Sequence, residues 1–410
     1  MQRLVNKLSF KRKCLNMIYL DWAASAPLSE TACEAMKPYL VPGMAGFEAG
    51  GANANALYAV GRKAFRELEQ ARKDIAHSIG AKRPYEVIFT SGATESDNAA
   101  LFGLVDALML KAEHEGDHDC VPEVVISSIE HDAVLQAARV LNQWGAQIIA
   151  VEPDVTGHIS PEALEEVMSE HTILVSIMAV NNEIGSVMDV ASLAEVAHRY
   201  GALFHTDATQ ALGKIPLDVS QWNVDALSFS SHKVGGPKGI GALYIKERTP
   251  FSAQIVGGGQ ESSQRSGTQN VMGAVGFAAA CKEAVTHQEK EAQRLIALRD
   301  YCYEELLKIG AVSAVVPVKA EDATFAPHIV FVTVPGFESE TLILRFDNEG
   351  ICLSGGSSCA SHSLEPSHVL SALHVEKDRA QSALRISLGS KTTKEDIEVF
   401  LSTFKRIIAQ

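Results

Sequence analysis

The sequence predicts an α/β protein: a mostly parallel sheet covered by helices on both faces, joined to a smaller α+β domain. Three observations predict it. From about residue 60 to residue 250, helical and strand-like apolar patterns alternate. The strand-like runs are apolar on both sides, as strands buried between two helical layers are. The chain has 410 residues, more than one simple core organises, so two domains are expected.

Residues 61–79 read as an amphipathic helix with Phe65, Leu68, Ala71, Ile75 and Ile79 on its apolar stripe. Glu69 and Lys73 stand at i,i+4 spacing, and Gly80 ends the helix. Tyr85–Thr90 reads as a strand, and Ser91-Gly-Ala-Thr94 turns it into a helix running to about Lys111. Further buried strands are expected at 124–128, 147–151, 173–180, 202–205, 226–230 and 241–245. Ser160-Pro161 marks a helix start, with the hydroxyl as cap and proline at the first position. After Val271 a long helical stretch runs to about Ile309. Strands at 329–334, 351–353 and 383–388 follow, with helices at 338–348 and from Thr393. Thr392 and Glu395 have the spacing of a capping box. The expected division is residues 31–275 for the large domain, and 17–30 with 276–410 for the small one.

Composition narrows the function. Hydrophobic residues make up 46% and charged residues 21%, ordinary values for a globular protein. The net charge of −14 argues against a nucleic-acid or anionic-membrane binder, which needs a basic patch. No apolar run is long enough to span a bilayer. The seven cysteines are scattered and without metal-ligand spacing, which fits free thiols in a reducing, cytoplasmic setting. Residues 1–16 carry five basic residues and no acid, and are expected to form a disordered tail.

The polar residues with chemical potential stand at the carboxyl ends of the expected strands, where parallel sheets place their ligands. Lys233 closes Ser230-Ser-His-Lys233 after the run at 226–230, beside the glycine-rich Gly235–Gly241 turn. A lysine there, with hydroxyls and a histidine beside it, suits a Schiff base to pyridoxal phosphate (PLP). A lone lysine would instead be a solvated loop residue. Ser91-Gly-Ala-Thr94 offers helix-start N–H groups to a phosphate, or is plain strand–helix punctuation. His131 can cover a flat ring and shuttle protons, or serve as a polar helix-start residue. Asn182 follows the strand at 173–180. Asp207, after the strand at 202–205, can keep a pyridine nitrogen protonated, or cap a helix. Gln210 is a possible donor to the ring hydroxyl.

These residues lie in motifs that resemble the PLP-dependent cysteine desulfurases of the NifS/IscS type, within the class V aminotransferase group. The motifs are Phe89-Thr-Ser-Gly-Ala-Thr-Glu-Ser-Asp-Asn98, Asn181-Asn-Glu-Ile-Gly185, Thr206-Asp-Ala-Thr-Gln210 and Ser230-Ser-His-Lys233 with Gly236-Pro-Lys-Gly239. To these are added Arg265-Ser-Gly-Thr268, Ser354-Gly-Gly-Ser-Ser-Cys359 and Ser363-Leu-Glu-Pro-Ser367.

The resemblance implies a fold-type-I PLP enzyme with a seven-stranded sheet. It implies that Lys233 binds the cofactor and moves the substrate Cα proton, that Asp207 pairs with the ring nitrogen, and that Gln210 contacts the ring oxygen. His131 would cover the ring and act in catalysis. Ala93, Thr94, Ser230 and His232 would bind the phosphate, and Thr268 would reach the phosphate of a neighbouring subunit, which implies a homodimer. Asn182 and Arg385 would clamp the carboxylate of L-cysteine. Cys359 would be the nucleophile that takes the sulfur as a persulfide and passes it to an acceptor protein such as an iron–sulfur scaffold. Cys352, in an apolar run, reads as a buried structural cysteine. Two segments depart from the family pattern: Asp21-Trp22-Ala-Ala, and Ala52-Asn-Ala-Asn-Ala-Leu-Tyr58, both expected at the substrate entrance. The competing readings are a selenocysteine lyase or other class V PLP enzyme, and a catalytically silent binding partner with the same fold.

Overall fold

The computed structural model describes residues 17–116, 121–356 and 367–409. The expected disordered tail at 1–16 and Cys359 itself lie outside the described residues.

Among the described residues there are twelve strands, β1 to β12: Ile18–Tyr19, Val87–Thr90, Glu123–Ser127, Gln147–Val151, Thr172–Ser176, Leu203–Asp207, Ala226–Ser230, Gly241–Ile245, Ser313–Ala314, Ile329–Thr333, Ile351–Cys352 and Ala383–Ser387. Seven of them form one sheet in the order β2-β8-β7-β6-β5-β3-β4. The pairs from β7 to β4 are parallel, and β8 runs antiparallel to both β7 and β2. β2 therefore points the same way as β7, and six carboxyl ends share one edge. The mostly parallel seven-stranded sheet is as expected.

Burial explains the sheet. β2, β3, β7 and β8 are buried at every position, so helices cover both faces. β4 departs from the expectation of a buried strand: it is the sheet edge, and Gln147 and Ala150 are exposed. Its apolar run shields only one face and one neighbour. Gly241 is required by a close approach, since a Cβ there would fall 2.7 Å from the Cα of Gly92. This packing brings the amino end of β8 against the turn that follows β2.

The helix Ala59–Ser78 buries Leu68, Ala71 and Ile75, with Ile79 beyond its end, as the period predicts. Phe65 does not join them and is half exposed; Ala64 takes the core position instead. Glu69 pairs with Arg72 at 3.0 Å, because Arg72 is buried and needs anions, whereas Lys73 is in water. Ser160 caps its helix through the N–H of Ala163, with Pro161 at the first position. The capping box of the last helix, Lys394–Ile408, uses Thr393 and Asp396, one residue later than the spacing of Thr392 and Glu395 suggests. Thr392 Oγ1 instead accepts from the N–H of Gly389.

A second core gathers Leu20, Leu295, Leu306, Val330, Leu384, Phe346, Phe400 and Phe404, among others. The three phenylalanines pack with ring centroids 5.4 to 5.9 Å apart. Around this core β12, β10 and β9 form an antiparallel sheet, and β1 pairs in parallel with β11. Residues 18–20 thus join the C-terminal third of the chain. The helix Val271–Leu307 runs through the expected boundary at residue 275 without a break, about 55 Å long at 1.5 Å per residue. Its first turns pack on the first core through Phe277 and Cys281, its last turns on the second through Cys302 and Leu306.

Candidate active site

The shared carboxyl edge of the sheet opens into a cavity of about 470 Å³. Ala93, Thr94, His131, Asn182, Asp207, Gln210, Ser230, His232, Lys233 and Arg385 all line it. Thr268 does not; it stands exposed on another part of the chain. The reason the others converge is topological: each follows or ends a strand whose carboxyl end lies on this edge, except Arg385, which enters from β12.

One cluster of groups suits an anion. The helix Ala93–Glu115 begins at the cavity, and its N-cap residue Gly92 has no side chain to occupy the first N–H groups. Ser230, His232 and Lys238 stand beside it. His232 has its pKa lowered to about 4 by burial and then by Lys233 and Lys238, so the ring is neutral at ordinary pH. Its Nδ1 lies 3.2 Å from Ser25 Oγ.

A second cluster is acidic. Asp207 ends β6, is almost fully buried, and accepts the N–H of Thr209 at 2.8 Å. The helix-capping alternative for Asp207 does not hold: residues 209–214 form turns, not a helix, and the bond to Thr209 is a local turn contact. Asp97 lies one helical turn below Ala93 and is 1% exposed; neither of its oxygens has a hydrogen-bond partner. Burial, and then the charge of Asp207, raise its pKa well above the usual carboxylate range. Glu130 is fully buried nearby and raised to about 8, mainly by burial. It accepts from Ser127 Oγ at 2.5 Å and Met178 N at 2.7 Å. His205, between Ser176 and Ser228 hydroxyls, is held neutral by burial, with its pKa lowered to about 3.

Lys233 stands between the clusters. Its Nζ donates to Ala23 O at 2.6 Å and Ala24 O at 2.9 Å. Gln210 Nε2 donates to the same Ala23 carbonyl at 2.8 Å, and Gln210 Oε1 lies 3.3 Å from Nε2 of the buried His328. His131 is both an N-cap and a cavity residue. Its Nδ1 accepts from Ala133 N at 3.1 Å, so the neutral ring carries its proton on Nε2. Arg385 is buried on β12; Nη1 donates to Asn182 O at 2.7 Å and Nη2 lies 3.1 Å from Asp21 Oδ1.

The departures at the entrance are resolved by packing. Trp22 covers Gly389, where a Cβ would collide with the indole, and donates to Tyr19 O at 3.0 Å. Ala23, Ala24 and Ser25 of that segment line the cavity, and Trp22 does not. Tyr58 is exposed and also away from it. Cys352 is half-buried, with its pKa raised by burial. Cys33, Cys281 and Cys302 are free thiols as well. No group of three or more metal-ligating side chains occurs among the described residues. No described helix is long and apolar enough to cross a membrane.

Sequence reading missed Asp97, Glu130, Glu183 and His328. Asp97 was legible, three residues after Thr94 on a helix that starts at the cavity, and so on the same face. The others depend on which segments meet across the fold, which no local spacing records.

The cavity thus joins an anion cup, a lysine, a buried carboxylate and an arginine, the outline of a Schiff-base enzyme that handles an amino acid on PLP. The chain belongs to the class V aminotransferase family, whose model matches residues 18–400. It is 40% identical to the cysteine desulfurase IscS of Dictyoglomus turgidum over 391 residues, 95% of this chain and 94% of that one. Among solved structures it resembles a NifS-like protein with a TM-score of 0.83 and 32% identity, over 96% of this chain and 99% of that one. It also resembles a structure described as SspA in complex with cysteine, with a TM-score of 0.74 and 34% identity, over 90% and 98% of the two chains.

The family's cofactor, PLP, fits these residues. The orphaned oxygens of Asp97 and the orphaned hydroxyl of Thr209 are buried at the cavity wall, as groups awaiting a polar ligand are. The donor cluster matches a phosphate, and the Asp207 carboxylate matches a protonated ring nitrogen.

Proposed function

We infer that the chain is a PLP-dependent cysteine desulfurase that converts L-cysteine to L-alanine and holds the sulfur as a persulfide on Cys359. The observation that carries this is the meeting of Lys233, Asp207, the Ser91–Thr94 turn and Arg385 on one cavity.

Bound PLP would supply an electron sink for the substrate's Cα–H electrons. The chain's own residues do the rest. Ala93, Thr94, Ser230 and His232 would bind the phosphate, Asp207 would hold a proton at the ring nitrogen, and Gln210 would contact the ring oxygen. His131 would lie against the ring and offer Nε2–H. Arg385 takes the substrate carboxylate by exchanging Asp21 Oδ1 for it, a bidentate pairing that fixes the amino acid's orientation. Asn182 supports it through its backbone carbonyl. Lys233, held by the Ala23 and Ala24 carbonyls, moves the proton of the substrate Cα. The thiolate of Cys359 then attacks the substrate sulfur. The Cβ–S bond breaks, its electron pair stays on carbon, and a proton replaces sulfur there to give alanine. The S–S bond of the persulfide forms at the same time, so atoms and electrons balance without an external oxidant.

We further propose a homodimer in which Thr268 serves the neighbouring subunit, and a cytoplasmic setting, in keeping with four free described thiols. The persulfide would go to an acceptor protein, with an iron–sulfur scaffold as the first candidate. The separate core around Phe346 and Phe400 supports residues 17–30 and 276–410 as the unit that carries Cys359.

The test is to incubate the PLP-loaded chain with cysteine, quantify alanine, and locate the persulfide by mass spectrometry. Cys359→Ala should keep the visible absorbance of the cofactor and release no sulfide. Full sulfide release from that variant would remove Cys359 from the reaction.

A further inference from the structure

Gln210 is held from two sides. Its Nε2 donates to the Ala23 carbonyl at 2.8 Å, and its Oε1 lies 3.3 Å from Nε2 of His328. A backbone carbonyl only accepts, so the amide turns its nitrogen toward Ala23 and its oxygen toward His328. Gln210 lines the cavity, and one of its two amide protons goes to Ala23, which leaves the other for a ligand.

The amide oxygen in turn fixes the state of the imidazole. Oε1 cannot donate, so His328 carries its proton on Nε2, and Nδ1 is a bare lone pair. Nδ1 is buried without a hydrogen-bond partner, and a charged ring would bury an unpaired N–H there. Burial first, and then the charges of Lys214, Arg385, Lys233 and Arg299, hold the pKa of His328 well below its ordinary value. These four cations come from the turns after β6, β12, the turn after β7 and the long helix Val271–Leu307.

Both holds on Gln210 trace to the small sheet. His328 directly precedes β10, whose first residue, Ile329, pairs with Ser387 at the end of β12. Ser387 Oγ accepts the N–H of Ala23 at 2.9 Å, which steadies the residue whose carbonyl Gln210 meets. His328 itself does not line the cavity and acts on it through Gln210.

We propose that His328 is a positioning residue: by donating Nε2–H to Gln210 Oε1 it keeps the Gln210 amide with an N–H toward the cofactor's ring oxygen, and so sets how tightly the neighbouring Schiff-base proton is held. The proposal rests on the PLP reading of the site for its consequence, while the tautomer of His328 stands without it. A donor at the ring oxygen competes with the Schiff-base proton for the same electron pairs. Without that donor the proton stays on to a higher pH.

The experiment uses the full chain loaded with PLP, as wild type, His328→Phe, which keeps a ring and loses the donor, and His328→Gln, which restores an N–H. In His328→Phe the midpoint pH of the visible absorbance change should rise by about 0.5 to 1 unit, the worth of one hydrogen bond. The kcat for alanine formation should fall about three- to ten-fold, with the KM for cysteine little changed. His328→Gln should return both toward wild type. Gln210→Leu should raise the midpoint likewise, and adding His328→Phe to it should move the midpoint no further. Lys214, Lys233, Arg299 and Arg385 are the same in all these chains, so their fields cancel in the comparison. An unchanged midpoint in His328→Phe, an equal shift in His328→Gln, or a further shift on top of Gln210→Leu would overturn the proposal. Nitrogen NMR of the histidine rings in the cofactor-free chain, with the His328 signal identified by its loss in His328→Gln, should show the proton on Nε2. A proton on Nδ1, or a charged ring, would overturn the proposal even if His328→Phe does not fold. A wild-type chain that PLP does not colour would overturn the PLP reading instead, and the NMR signal would still decide whether His328 donates to Gln210.

Discussion

The two ends of the cavity are built by opposite rules. At one end lie N–H groups, a serine hydroxyl, a neutral histidine and a lysine, all donors, partly open to solvent. At the other lie Asp97, Glu130 and Asp207, three carboxyls buried together. The same helix, Ala93–Glu115, serves both: its first turn opens onto the donor end and Asp97 lies one turn deeper. The donor end can bind a charged group with little reorganisation, because its donors already face the cavity. The acid end cannot hold several unneutralised carboxylates, because burying them costs too much, so Asp97 and Glu130 keep their protons. The donor end should therefore govern how tightly the cofactor is held, and the acid end how reactive it is.

The largest effect is expected from the residue between the ends. Lys233→Ala should lower alanine formation about 10³-fold or more, since it removes the group proposed to move the Cα proton. Asp207→Asn should lower the rate about 10²- to 10⁴-fold while changing cofactor affinity far less. If affinity fell in proportion to rate, the two ends would not be distinct. Ser230→Ala sharpens the contrast from the other side. Loss of one hydrogen bond to a charged phosphate should weaken PLP binding about ten- to a hundred-fold, read by equilibrium dialysis, with the saturated rate little changed. Arg385→Ala should raise the KM for cysteine about ten- to a hundred-fold, with the cofactor absorbance intact.

The smallest effect tests the protonated acid end. Glu130 ionises near its usual 4.5 in the unfolded chain and near 8 in the folded one. Between those values the folded state holds a proton that the unfolded state has released, so stability falls as pH rises from about 4.5 to 8. The groups around it, Asp97, Asp207, His131, His205 and His368, are the same in both proteins of the comparison, so their contributions cancel to first order. Glu130→Gln keeps the hydrogen-bond acceptor for Ser127 and Met178 but removes the titration. Its melting temperature relative to wild type should be unchanged near pH 4.5 and higher by several degrees at pH 8. A constant offset across that range would show Glu130 ionised in the fold.

Much of the same contrast was legible in the sequence. The donor end is local: Ser91-Gly-Ala-Thr94 and Ser230-Ser-His-Lys233 each directly follow an apolar strand, and parallel strands bring such ends together. Lys233, Asp207 and His131 could be named for the same reason. The acid end is non-local. Glu130 looks like any helix-start acid, and only its burial in the assembled fold, with Asp207 nearby, keeps it protonated against the opposing hydrogen bonds from Ser127 and Met178. Phe65 shows the limit of periodicity, since a stripe one residue off the true core face still scans as helical while Ala64 takes the buried place. The edge position of Gln147–Val151 was hidden likewise, because strand order depends on pairings that composition does not encode.

The most direct measurement is borohydride reduction of the PLP-loaded chain, followed by peptide mapping. The pyridoxyl phosphate label should appear on the peptide containing Lys233, in a one-to-one ratio with chain, and should vanish when Lys233 is replaced by alanine. A label on Lys238 or elsewhere, or a chain that PLP does not colour at all, would contradict the assignment on which the donor end, the acid end and the sulfur chemistry all depend.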